Sequence, residues 1–316
     1  MNRIDICKNI IQSIKEYITT PEKLEPHRAK NHFVRKRKLS LFQVIMYLLY
    51  TSKASMFQNL SRIREDLGNL DFPDISKQAL SKARQFINPA LFKELYYLSV
   101  DLFYKQLPSR KLWNGYHLFA IDGSKIELPN SKSNFEFFGE MFGYPDPNRR
   151  FTMGLGSIVY DVLDDYIVHA SFQRYLASEL YFYRWPVETK YKELKSRLAI
   201  EEFSGATTTS VLQEFYINVL LSNLSSLIKN QVDEEIQITA KSTNKYRYQA
   251  NRAFIIGRIK TIVPKILCNL FDLSVIDRLY KESLRCRSQI MPERTFRRKK
   301  NKAIGRTHFN NKKVAF

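Results

Sequence analysis

Residues 181–198 read YFYRWPVETKYKELKSRL, an irregular approach followed by a helix. Pro186 suits the first helical position, where the missing N–H costs nothing, so Tyr181 and Arg184 fall in the turn before it. Glu188 then lies in the first turn, where the helix dipole favours a negative charge. Glu188 and Lys195 stand seven apart, within about 20° of one face of an ideal helix. That face offers a metal-binding carboxylate flanked by two cations, Arg184 and Lys195, that can clamp phosphates, with Tyr181 able to contact a nucleic-acid backbone. The same residues also describe a solvated helix laced with ion pairs, because Glu188 and Lys192 are spaced i, i+4. Spacing alone leaves both readings open.

Upstream, His117–Leu–Phe–Ala–Ile–Asp122 is a short apolar run halted by Asp122-Gly123-Ser124. It reads as a buried strand ending in a turn, with the Asp122 carboxylate facing a crevice, although Asp-Gly is also an ordinary turn pair. Residues 152–162 and 166–174 alternate as strands, with Asp164-Asp165 at the hairpin turn. Before residue 115 the pattern is helical. Apolar residues at 7, 10, 11, 14 and 18 predict an amphipathic helix over 4–18, followed by a loop holding Pro21 and Pro26. Ser40, Ser55 and Ser76 are N-caps for three further helices, the last reading KQALSKARQFI, and a fourth starts at Pro89. Helices return after residue 178, where 214–228 (EFYINVLLSNLSSLI) is apolar enough to be buried.

Charge sets the class of partner. The 316 residues hold 51 Lys and Arg against 31 Asp and Glu, a net charge of +20. A chain so basic repels itself unless it meets a polyanion, and nucleic acid is the first to consider. Six cations and no acid lie between Arg28 and Lys38, including Arg35, Lys36, Arg37 and Lys38. They form either a solvated linker or a phosphate-binding strip. Lys77, Lys82 and Arg84 sit on the third capped helix, either in a helix-turn-helix-like module or on the outer face of a plain bundle. Residues 285–316 hold 11 Lys or Arg and one acid, Glu293. The three cysteines form no CxxC and read as reduced intracellular thiols. No apolar run reaches the roughly 18 residues of a membrane span, and MNRIDICKNII has no secretory pattern. The expectation is a cytoplasmic chain that binds DNA and no membrane. The five histidines form no zinc-like pair, and Trp185 suits stacking on a base as well as packing.

Tyr181-x2-Arg184-x3-Glu188-x6-Lys195 matches every element of the signature of the DDE transposases of the insertion-sequence-four family, which this chain resembles. The likeness extends to Asp122-Gly-Ser, to SKQALSKARQFINPALF, and to the EEFSG and QEFYINVLLSNL segments after the signature. It implies a ribonuclease-H-like core that cuts DNA at the terminal inverted repeats of its own element, inserts it into target DNA, and works as a homodimer on paired ends. Asp122 and Glu188 take the positions of catalytic, magnesium-binding carboxylates, and Tyr181, Arg184 and Lys195 those of DNA contacts. Such chemistry uses two Mg²⁺ ions about 3.5–4 Å apart, one activating the attacking oxygen and one stabilising the leaving oxygen.

The family pattern also includes a second Asp on a fourth strand, then a β-rich insertion before the Glu. Only 66 positions separate Asp122 from Glu188 here, and no Asp-Arg-Gly-Tyr occurs among them. Asp161, Asp164 and Asp165 lie on the hairpin, and Glu179 has no strand to hold it. An internal deletion near 174–178 accounts for this simply. The expected architecture is α+β or α/β: an N-terminal helical DNA-binding region (1–115), a shortened ribonuclease-H-like core with a mixed sheet flanked by helices (116–280), and a basic tail (281–316). The expected function is that of a degenerate, catalytically impaired transposase, or of a non-catalytic DNA-binding protein that competes with an intact one.

Overall fold

The computed structural model describes residues 2–34, 38–50, 55–107, 110–142, 150–174, 190, 191, 194, 195, 198, 200, 202–240 and 246–290. Its helices are α1 (Arg3–Thr19), α2 (Pro21–Leu24), α3 (Leu41–Tyr50), α4 (Met56–Asp66), α5 (Lys77–Arg84), α6 (Ala90–Gln106), α7 (Lys132–Phe138), α8 (Thr208–Ile238), α9 (Arg252–Leu267) and α10 (Ser274–Arg285). Its strands are β1 (Phe119–Leu128), β2 (Met141–Phe142), β3 (Arg150–Asp161), β4 (Tyr166–Arg174), β5 (Arg247–Ala250) and β6 (Arg287–Ile290). The chain is α+β.

Local chemistry starts most of the helices. The Asn2 side chain accepts from the Asp5 N–H. Ser40 and Gln43 exchange bonds at the start of α3, Ser55 and Gln58 do the same for α4, and Ser76 caps α5 through Ala79. Each cap satisfies donors that the first turn leaves orphaned. Pro21 and Pro26 do not lie in a loop as expected: Pro21 opens α2, and Pro26 sits in a 3₁₀ turn over Glu25–His27. Helix α5 stops at Arg84 rather than Ile87, because the chain beyond it pairs with 27–29. Ala29 N–H donates to Phe86 O at 2.8 Å, and Asn88 N–H to His27 O at 2.7 Å.

In the main sheet β3 is central, with β1 and β4 antiparallel on its flanks and β2 paired to its first residues. β5 and β6 form a separate antiparallel pair. Among the described residues every strand pair is antiparallel, where the expectation was a mixed sheet. β3 buries Thr152, Gly154, Gly156, Ile158 and Tyr160 on its inner face, the period-2 pattern of a sheet covered on one side. The inner face packs on α8, with Phe172 of β4 stacked on Phe215 at 4.8 Å between centroids. A Cβ at Gly154 would collide with the Phe172 ring. β4 carries one extra residue, Val168, in its pairing with β3. The Asn223 side chain completes the backbone of Ile167 there, accepting from its N–H at 2.9 Å and donating to its C=O at 2.8 Å.

Helix α8 is buried on nearly every side and runs through the centre of the molecule. α1, α3, α6, α9 and α10 all pack against it, and their buried residues belong to one core with those of the sheet. The helices before residue 115 therefore share a core with the chain after it. The boundary expected at 281 falls inside α10, and β6, beyond it, pairs with β5. No helix among the described residues is long and apolar enough to cross a membrane.

Candidate nucleic-acid site around Asp122

β1 does not end at Asp122. It continues through Gly123 and Ser124 to Leu128, with Asp122 opposite Ile158, Gly123 opposite Ser157 and Ser124 opposite Gly156. Pairing along the whole of β3 overrides the local turn preference of Asp-Gly-Ser. Nor is the strand's start buried: Phe119 is 44% and Ile121 56% exposed. Asp122 shares a face with Ile126 and Leu128, both buried, because alternate residues of a strand point the same way. Its carboxylate is thus carried mid-strand on the inner face.

Two helical residues from the signature stretch lie against this strand. The Tyr191 hydroxyl donates to the Asp122 carbonyl oxygen at 3.1 Å and also bonds the Gly156 carbonyl. Lys195 Nζ donates to the Lys125 carbonyl at 2.8 Å. The two side chains, four positions apart in sequence, grip β1 three residues apart. Leu194 and Leu198 are buried beside them. Burial, then the Asp122 charge, pushes the Tyr191 hydroxyl well above its usual range, so it stays a donor. One of the three Lys195 ammonium donors is spent on a carbonyl. Tyr181, Arg184 and Glu188 lie outside the described residues, as do Arg35, Lys36, Arg37 and Glu179.

Arg84 is not a DNA contact. It is fully buried, with its guanidinium bonded to Glu214 at 3.0 Å, Ser204 Oγ at 2.8 Å and Gln213 Oε1 at 3.1 Å. Glu214 also accepts from the Ser204 N–H, and a Cβ on Gly205 would run into Ser210. Three of the four resembling segments outside the signature therefore meet at one buried ion pair. Lys77, Lys82 and Lys38 are exposed. The connection from α4 to α5 (67–76) is longer than the 3–4-residue turn of a helix-turn-helix.

The hairpin aspartates are not at a solvated tip. Asp165 takes both terminal nitrogens of Arg252 (2.8 and 3.2 Å), Lys229 at 3.2 Å and Lys190 at 3.4 Å, plus the Tyr160 hydroxyl. Burial works to raise its pKa, but Lys190, Arg252 and Lys229 outweigh it and hold the carboxyl well below the usual range. Asp164 pairs with Arg3 at 2.7 Å, and Asp161 accepts from Tyr104 at 3.1 Å. Lys190, adjacent to Tyr191, thus ties the signature helix to the hairpin. Nothing local in the sequence marks these partners, since the three cations lie 25 to 87 positions from Asp165.

A two-magnesium site asks for about three carboxylates converging on one point. Asp122 is the one described candidate at this point, and Asp161, Asp164 and Asp165 are engaged elsewhere. Among the described residues no three His, Cys, Asp or Glu are grouped to hold a metal ion. The described residues therefore do not by themselves fit the ion pair. Comparison of the chain with family models, curated proteins and solved structures finds no match.

Proposed function

We propose that this chain is a transposase-derived DNA-binding protein whose catalytic set is short of one carboxylate. What carries the reading is the apposition of the signature helix to the Asp122 strand through Tyr191 and Lys195. A DDE-type centre needs that apposition, because Glu188 stands only three positions before Tyr191 in the sequence. The antiparallel meander β1-β3-β4 is compatible with the first strands of a ribonuclease-H-like sheet. In this reading Asp122 and Glu188 are the remaining Mg²⁺ ligands. Tyr181, Arg184, Lys195, Lys77, Lys82 and the 35–38 strip contact double-stranded DNA at the terminal inverted repeats and target, with two copies on paired ends in a bacterial cytoplasm.

The second reading, a non-catalytic competitor of an intact transposase, is favoured by the commitment of Asp164 and Asp165 to Arg3, Arg252, Lys229 and Lys190. Duplex binding measured against salt tests what both readings share. Neutralising six phosphates gives a log–log slope of about −5 on B-DNA, and removing 291–316 should shrink it. A slope near zero defeats both readings. Preference for the inverted repeats over random duplex separates a transposase-derived chain from a merely basic protein.

A further inference from the structure

The hairpin just before β1 displays two aromatic rings to solvent. Trp113 and Tyr116 exchange both backbone hydrogen bonds at 2.9 Å, with Asn114 (φ 48°) and Gly115 (φ 84°) between them. Positive φ at both central residues is the type I′ turn, for which Asn-Gly is the favoured pair. A directly paired couple sits about 5.5 Å apart at Cα with both side chains on one side of the ribbon. Trp113 is 60% and Tyr116 73% exposed, next to Leu112 at 50%. Rings of this size bury roughly 150–250 Å² when they find a partner, and exposed apolar patches of this kind mark interaction sites.

The surrounding charge says which partner. From Leu102 to Ile121 the chain has no acidic residue and carries Lys105, Arg110 and Lys111. Arg110 lies over the Tyr104 ring at 4.4 Å with its guanidinium 3.4 Å from His117 Nε2, and Lys111 reaches Glu234 at 3.0 Å. Two copies meeting through this hairpin would bring like charges together in a chain of net +20. A polyanion with open aromatic faces has neither problem. Single-stranded nucleic acid fits: its bases expose the π-faces that a duplex hides, and its phosphates suit flanking cations.

We infer that the Trp113–Tyr116 hairpin is a stacking platform for unpaired nucleobases, distinct from the duplex-binding surfaces. The inference rests on the nucleic-acid part of the proposed function but on neither its catalytic residues nor its family.

The test measures binding of the full chain to a fluorescein-labelled oligothymidylate and to a random-sequence duplex of equal length. W113A and Y116A should each weaken oligothymidylate binding about tenfold, leave duplex binding unchanged, and keep the wild-type circular dichroism. W113F should retain most of the affinity. Quenching of tryptophan emission by the single strand should occur in the wild type and largely vanish in W113F. Unchanged oligothymidylate affinity in both alanine variants overturns the platform while leaving duplex binding, and the proposed function, standing. Equal loss for strand and duplex overturns it too. A shift from dimer to monomer in sedimentation with strand binding intact assigns the hairpin to a second copy of the chain instead. Binding to neither probe by the wild type removes the platform and the DNA-binding reading together.

Discussion

The hydroxyl of Tyr191 donates to the backbone carbonyl of Asp122 at 3.1 Å, so a side chain of the signature helix holds the strand residue that the resemblance makes catalytic. The bond goes to backbone and fixes where the Asp122 Cα sits. The same hydroxyl bonds Gly156 on the neighbouring strand, tying β1, β3 and the helix at one point. Tyr191→Phe keeps the ring and removes the donor from a buried and a half-buried carbonyl. We expect it to lower unfolding stability by about 1–3 kcal/mol, read from denaturant midpoints, without unfolding the chain. A midpoint equal to wild type would show that the contacts of Lys190, Leu194, Lys195 and Leu198 hold the segment without the hydroxyl.

Arg84 and its lysine neighbours on α5 separate structure from binding. Removing either partner of the Arg84–Glu214 pair strands a buried charge, which costs about 3–5 kcal/mol. Arg84→Ala and Glu214→Ala should therefore both be strongly destabilised in thermal melts, with duplex affinity per folded molecule close to wild type. Lys77→Ala and Lys82→Ala should do the reverse. Their melts stay within about 0.5 kcal/mol of wild type, while each lowers the magnitude of the salt slope by about one if it meets a phosphate. Unaltered slopes in both lysine variants would take α5 out of the interface.

The structure also places a pH dependence at Asp165. Its carboxyl is held below the ordinary range in the folded protein, whereas the unfolded chain titrates near 3.9. A depressed folded value stabilises above the unfolded value and is lost as pH falls through the folded one. Burial raises Asp161 in the opposite sense, offsetting part of the effect. Denaturant midpoints should fall as pH drops from about 5 toward 3, more steeply in wild type than in Asp165→Asn. Asp165→Asn should itself be less stable at pH 7, since Lys190, Lys229 and Arg252 lose their shared anion. Parallel acid limbs would remove Asp165 from the account.

How far the sequence could be read depended on how local the determinants were. The capped helices α3, α4 and α5 and the strands β3 and β4 are governed by near neighbours: a serine with its N3 partner, or alternating apolar residues. In β1, Asp-Gly-Ser is a turn by propensity and a strand by partnership, and only β3 supplies the partner. Arg84 looked like a cation among cations. It stands four residues after Leu80, on the face that Leu80 buries, and that spacing was the available clue. The Asp165 cluster had no such clue. Trp113-Asn-Gly-Tyr116 carries a type I′ hairpin pattern that is legible from the Asn-Gly pair alone.

In the proposed reading Asp122 and Glu188 are two of three expected carboxylates, so one metal would lack its usual anchor. The aspartates nearest in sequence cannot fill that place cheaply: freeing Asp165 means breaking contacts to Arg252, Lys229 and Lys190, and freeing Asp164 means parting it from Arg3. Along β3, Asp161 lies three residues beyond the partner of Asp122, about 10 Å at strand spacing, too far for ions about 4 Å apart. Losing the charge stabilisation of one metal forfeits several kcal/mol of transition-state energy, with each 1.4 kcal/mol about tenfold in rate. Purified protein incubated with the inverted repeats that flank its gene and Mg²⁺ or Mn²⁺ should therefore bind them without detectable cleavage, as should Asp122→Ala. Metal-dependent cutting that Asp122→Ala abolishes would overturn this. An Asp165→Asn and Glu179→Gln pair of variants would then find the third carboxylate, the guilty one being the substitution that silences the wild-type activity.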